Sequence, residues 1–81
     1  MFSYKPIKRI EFRKWVCVLY EDPEDKTRFV ICKYTGARRI HPVLISMLDL
    51  ERKDVNYLLD TYPIPTELAK AIVEVYKETE K

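Results

Sequence analysis

Few side chains in this 81-residue chain are of the kind that makes or breaks bonds: His41, Cys17, Cys32, Ser3, Ser46 and the carboxylate run Glu21-Asp22-Pro23-Glu24-Asp25. Each needs a partner in order to act, and spacing supplies none. A nucleophilic serine needs elbow glycines and a base, but Gly36 is the sole glycine and by itself forms no phosphate cradle. Zinc needs paired cysteines or histidines at short spacing, and there is no CxxC pair. A calcium loop needs alternating ligands with a glycine between them, so the acidic run reads as a solvated turn. A thiol nucleophile needs an accessible sulfur beside a base, whereas both cysteines sit in the middle of strand-like segments. The residue types point away from catalysis, and neither cofactor nor metal is expected.

What remains is binding chemistry, carried by cations and aromatic rings. Residues 1–40 hold ten Lys or Arg against five Asp or Glu, a net of +5, whereas residues 41–81 hold five against eight, a net of −3. Seven of the ten aromatic residues (Phe2, Tyr4, Phe12, Trp15, Tyr20, Phe29, Tyr34) share the basic half. Lys and Arg along a surface displace counterions from phosphates, and aromatic rings on a sheet supply stacking or wedging groups for bases. Arg9, Arg13, Trp15 and Tyr34 are candidates for that mixture on one strand face, with Lys33, Arg38 and Arg39 near its edge and Lys5 and Lys8 beside it. The competing reading makes Trp15 and Tyr34 core residues with the arginines as a solvated rim, since most large apolar side chains of so short a chain are needed inside.

The elements that would hold these residues follow from periodicity. From Ile7 to Tyr20 the chain is rich in β-branched and aromatic residues without a helical period, so 7–20 reads as a strand. A polar turn follows, and 28–34 reads as its hairpin partner. With a loop of Pro23 to Lys26, Asp22 stands opposite Thr27, Tyr20 opposite Phe29, Val18 opposite Ile31 and Cys17 opposite Cys32. Directly opposed residues lie ~4.5–5.5 Å apart at Cα, within reach of a disulfide whose closed loop adds roughly 3 kcal/mol. A disulfide and two reduced, packed thiols both remain open at this point. The register places Ile10, Phe12, Val16, Val18, Tyr20, Phe29 and Ile31 on one face, the expected core face. The opposite face carries Arg9, Glu11, Arg13, Trp15, Cys17, Leu19, Val30, Cys32 and Tyr34.

Thr35-Gly36 offers a turn, and 37–41 is a short candidate for a third strand. Pro42 opens a helical pattern over 43–61, either unbroken or interrupted near 50–54, with Asp49 and Asp54 as candidate N-caps. Tyr62-Pro63-Ile64-Pro65 reads as extended. Thr66 is the candidate N-cap of a last helix over 66–78, with a stripe of Leu68, Ala69, Ile72, Val75 and Tyr76. The fold class is therefore α+β in a single domain: an N-terminal antiparallel hairpin or three-stranded sheet, then two or three helices packed on one face.

In size, basic strands and terminal helix the chain resembles the small basic chromatin proteins of hot-living archaea, which bind duplex DNA through an aromatic-bearing sheet. Its net charge of +2 departs from their strongly basic character, and the resemblance carries no residue assignments. Scarce amides (no Gln, and Asn56 the sole Asn) with 35% charged residues follow a thermophile pattern. No segment reaches the ~20 apolar residues of a membrane span, so a cytoplasmic protein without membrane contact is expected. Its expected partner is nucleic acid, DNA first. The alternative is a protein partner or a homodimer, as in a small viral or archaeal factor, because Trp and Tyr flanked by Arg also make an interface hot spot. A helix-turn-helix over Ile45 to Leu59 fits worst, since Asp54, Asn56 and Asp60 would face phosphate.

Overall fold

The computed structural model describes residues 3–80, which leaves Phe2 of the aromatic set outside them. The chain runs β1 (Lys5–Phe12), β2 (Trp15–Glu21), β3 (Arg28–Tyr34), β4 (Val43–Ser46), α1 (Met47–Leu50), α2 (Val55–Thr61) and α3 (Thr66–Glu78). The α+β class holds: a four-stranded antiparallel meander of order β1-β2-β3-β4, then helices.

The expected strand 7–20 is two strands. The chain reverses at Arg13-Lys14, where Arg13 takes a left-handed φ of 55°, and Phe12 lies opposite Trp15. Two-residue reversals of this kind need positive φ, and an arginine there gives no sign of it. The reversal also changes parity. From Lys8 to Phe12, even-numbered residues of β1 share a face with odd-numbered residues of β2: Ile10 lies opposite Cys17, and Arg9 opposite Val18.

The hairpin register of β2 and β3 is as expected, with Tyr20 opposite Phe29, Val18 opposite Ile31 and Cys17 opposite Cys32. The expected core face, however, is largely reversed. The helices cover Trp15, Cys17, Leu19, Val30, Cys32, Val43 and Ile45, joined by Ile10, all under 10% exposed. Val16, Val18, Tyr20, Phe29 and Ile31 stay half-exposed on the other side, together with Leu44 at 57%. Both faces of the central strands are apolar, so alternation alone could not orient them.

Residues 37–41 form no strand; they belong to the link that carries the chain to β4. Of the helical pattern expected over 43–61, the first four residues form strand β4 instead, and the rest is two short helices with the interruption where it was expected, at Glu51 to Asp54. Val43 and Ile45 are buried opposite Cys32 and Val30, a period-2 pattern too short to read against the helical spacing around it. Ser46 caps α1 by accepting from the Asp49 N–H, and Asp54 caps α2 by accepting from the Tyr57 N–H. Asp49 is not a cap. Its carboxylate accepts the Tyr57 hydroxyl at 2.9 Å and also the Tyr62 hydroxyl, tying α1 to α2. In α3 the expected stripe is inside except that Val75 is half-buried and Val73 joins the core. Thr66 is its first residue, preceded by Pro65 at the cap position without a side-chain bond.

Candidate nucleic-acid interface

The sheet has two unlike ends. One is formed by the Arg13-Lys14 reversal, the end of β3 and the following link. Lys33 stands opposite Val16, Tyr34 stands opposite Trp15, and the Thr35 N–H donates to the Lys14 carbonyl at 2.7 Å. These contacts bring Arg13, Lys14 and Lys33 to the same end as Arg38 and Arg39, which line a hollow with Tyr34 and His41. All five cations are exposed, and among the described residues none is in an ion pair. The Arg13 guanidinium lies 5.4 Å from the centroid of the Phe12 ring.

Tyr34 is the fixed point of this end. Its ring lies 5.3 Å from Trp15, centroid to centroid, and covers the Cα of Gly36 so closely that a Cβ there would meet the ring at 2.5 Å. Gly36 is thus required by the approach of Tyr34 rather than by a left-handed turn. Trp15 lies beneath, 7% exposed, so it holds Tyr34 in place from the core and is no exposed platform.

The opposite end carries Glu21, Asp22, Glu24 and Asp25, with Lys26 in the same turn and Lys5, opposite Glu21, removed from the basic end. Backbone and hydroxyl bonds from Thr27 hold the Asp25 carboxyl below the ordinary carboxylate range. Arg28 is consumed there: it binds Glu21 at 2.9 Å and clasps the Thr79 hydroxyl and carbonyl at 3.0 and 2.7 Å, closing the end of α3 onto the sheet.

Between the ends lies the open face. Tyr20 and Phe29 stack at 5.3 Å with ring planes 21° apart, and Tyr4 meets Phe29 edge-on at 4.7 Å. Val16, Val18, Ile31 and Leu44 fill the rest. Arg9 reaches this face from β1 but is tied to Glu11 at 2.8 Å. The structure therefore gathers Arg13, Lys33, Tyr34, Arg38 and Arg39, sets Arg9 apart, and buries Trp15. The aromatic pair Tyr20 and Phe29 was missed as surface, because its bulk looked like core. Lys14 was missed because the reversal beside it was not legible.

The reactive side chains stay apart. Cys17 and Cys32, joined as a cross-strand disulfide with 4.0 Å between Cα atoms, are fully buried. The Ser46 hydroxyl is used as a cap, and His41 is exposed beside Arg38 and Arg39. Among the described residues no cluster of His, Cys, Asp or Glu could hold a metal ion, and no helix is long and apolar enough to cross a membrane. Comparison with protein-family models, with curated proteins and with solved structures finds no match for this chain.

Proposed function

We propose that the protein is a non-catalytic nucleic-acid-binding protein, with DNA its first target, that holds phosphates at the basic end of its sheet and lays the adjoining nucleotides over the open face. The supporting observation is the convergence of Arg13, Lys14, Lys33, Arg38 and Arg39 from separate segments onto one end, free of ion pairs among the described residues. Cations held without protein partners keep their charge for phosphate, and releasing counterions from that phosphate is the main source of affinity. Tyr34, half-buried opposite Trp15 on the covered side of the sheet, shows a ring edge at that end. On the open face Tyr20 and Phe29 lie four residues beyond Val16 and Lys33, about 14 Å along the strands, roughly the reach of a few nucleotides.

Fluorescence anisotropy with labelled duplex DNA and single-stranded RNA tests this reading. Engagement of all five cations on B-DNA gives a slope of log affinity against log salt of about −4.5. The double reversal Arg38→Glu/Arg39→Glu should nearly abolish binding while leaving the far-UV circular dichroism unchanged. Absence of binding at about 50 mM salt, or binding indifferent to that reversal, would remove the proposal.

A protein partner on the open face is the second reading, favoured by one observation. The middle of that face is aliphatic (Val18, Ile31, Leu44) and presents no ring to a base. In that case Val18→Lys would abolish partner capture and leave nucleic-acid affinity unreduced.

A further inference from the structure

The two edges of the sheet are built differently. β1 carries Lys5, Pro6, Lys8 and Arg9 and a break in register between Pro6 and Lys8. Lysine, proline and bulges are the devices that keep an edge strand from pairing with another chain. β4, the other edge, is Val43-Leu44-Ile45-Ser46, with no charge and no break in its register with β3.

The direction of its backbone groups follows from the ladder. Asp22 N–H donates to the Thr27 carbonyl, and Thr35 N–H to the Lys14 carbonyl, so these flanking pairs of β2 and β3 are hydrogen-bonded pairs. Antiparallel pairs alternate, which makes Cys17–Cys32 a narrow, non-hydrogen-bonded pair, in keeping with its 4.0 Å Cα separation. Cys32 therefore directs its N–H and C=O to Val43, and Leu44 directs its own away from β3, toward the free edge. Among the described residues no bond beyond the sheet ladder reaches them. The two exposed large apolar side chains of the described residues, Leu44 at 57% and Leu48 at 78%, lie on this strand and just after it.

Charge is also polarised along this edge. β4 starts at the basic end, after Arg38 and Arg39, and runs toward the end where Glu21, Asp22, Glu24 and Asp25 outnumber Lys5, Lys26 and Arg28. A second copy lying antiparallel along β4 sets the basic end of each molecule beside the acidic end of the other, whereas a parallel copy sets like beside like.

We propose that β4 pairs antiparallel with β4 of a second copy across a two-fold axis, with Leu44 opposite Leu44. The outward N–H and C=O of one strand then meet those of the other, and the two leucines lie side by side. Opposed residues of an antiparallel pair share a face, so the two four-stranded sheets join into one of eight strands with both open faces on the same side. Such a dimer does not depend on nucleic-acid binding.

Sedimentation equilibrium from micromolar to millimolar protein, with amide hydrogen exchange at the ends of that range, tests it. The expected result is a shift toward twice the 9.8 kDa chain mass, with exchange of the Leu44 amide slowed by an order of magnitude or more. Leu44→Pro removes an outward donor and the Leu44 side chain while breaking no bond to β3, and should return the monomer. Leu48→Lys, at an exposed site, should weaken the dimer without touching the ladder. A monomer throughout the range would overturn the proposal. So would a dimer whose Leu44 amide exchanges as fast as in dilute protein, because that dimer pairs elsewhere.

Discussion

The two faces of the β2–β3 hairpin make a controlled comparison within one molecule. Both are apolar and both come from the same strands at the same register, yet Trp15, Cys17, Leu19, Val30 and Cys32 are sealed under helices while Val16, Val18, Tyr20, Phe29 and Ile31 stay half-exposed. The side chains alone do not choose the side. The choice is made by what arrives later in the chain: β4, which adds Val43 and Ile45 to one face, and α1, α2 and α3, which deliver Leu50, Leu58, Leu68 and Ile72 to the same face. An apolar strand face is core only where another element has an apolar stripe to set against it.

The comparison breaks most sharply at Trp15. Trp15→Ala should cost about 3–5 kcal/mol through the cavity it leaves, a large share of the stability a domain of this size holds. Val18→Ala, one face across and half-exposed, should cost about 1 kcal/mol. Denaturant midpoints of the two variants measure the contrast, and equal losses would mean that the open face is sealed as well.

A smaller effect sharpens the account of what holds the helices over the covered face. Hydrogen bonds from Tyr62 and then Tyr57 hold the Asp49 carboxyl below the ordinary carboxylate range. A carboxyl with a depressed folded value contributes stability that is present above its unfolded value and is lost as pH falls through the folded one. Thermal melting should therefore fall on the acid side of the ordinary carboxylate range. Asp49→Asn should lower the melting temperature at neutral pH and flatten that acid slope. Burial, with the bond to Asp49 second, raises the Tyr62 phenol, so its share is present below the ordinary tyrosine range and is lost as pH rises through the folded value.

The register of β2 with β3, the last helix and the α+β class could be read from the sequence because a proline-bearing acidic turn and a long apolar stripe each fix a local geometry. The reversal at Arg13-Lys14 could not. Arg13 holds a left-handed φ of 55° where glycine or asparagine would have signalled the turn. Missing the first reversal merged two strands and kept Ile10 and Phe12 on the side of Val18, which tipped the choice of core face the wrong way. Strand β4 was hidden because four residues of Val-Leu-Ile-Ser satisfy a helical stripe as well as a strand. Of the candidate site, Arg13, Lys33, Arg38 and Arg39 could be named from the charge balance, but not Lys14. Their gathering at one end, and the withdrawal of Trp15 beneath Tyr34, depend on the reversal that was not visible.

The most direct measurement is a map of backbone amide shifts on adding a short duplex DNA and, separately, a single-stranded RNA at low salt. Shifts are expected at Arg13, Lys14, Lys33 to His41 and along the open face near Val16 and Val18, fading as salt is raised, with α2 and α3 unmoved. Shifts confined to α2 and α3, or none with either nucleic acid, would contradict it.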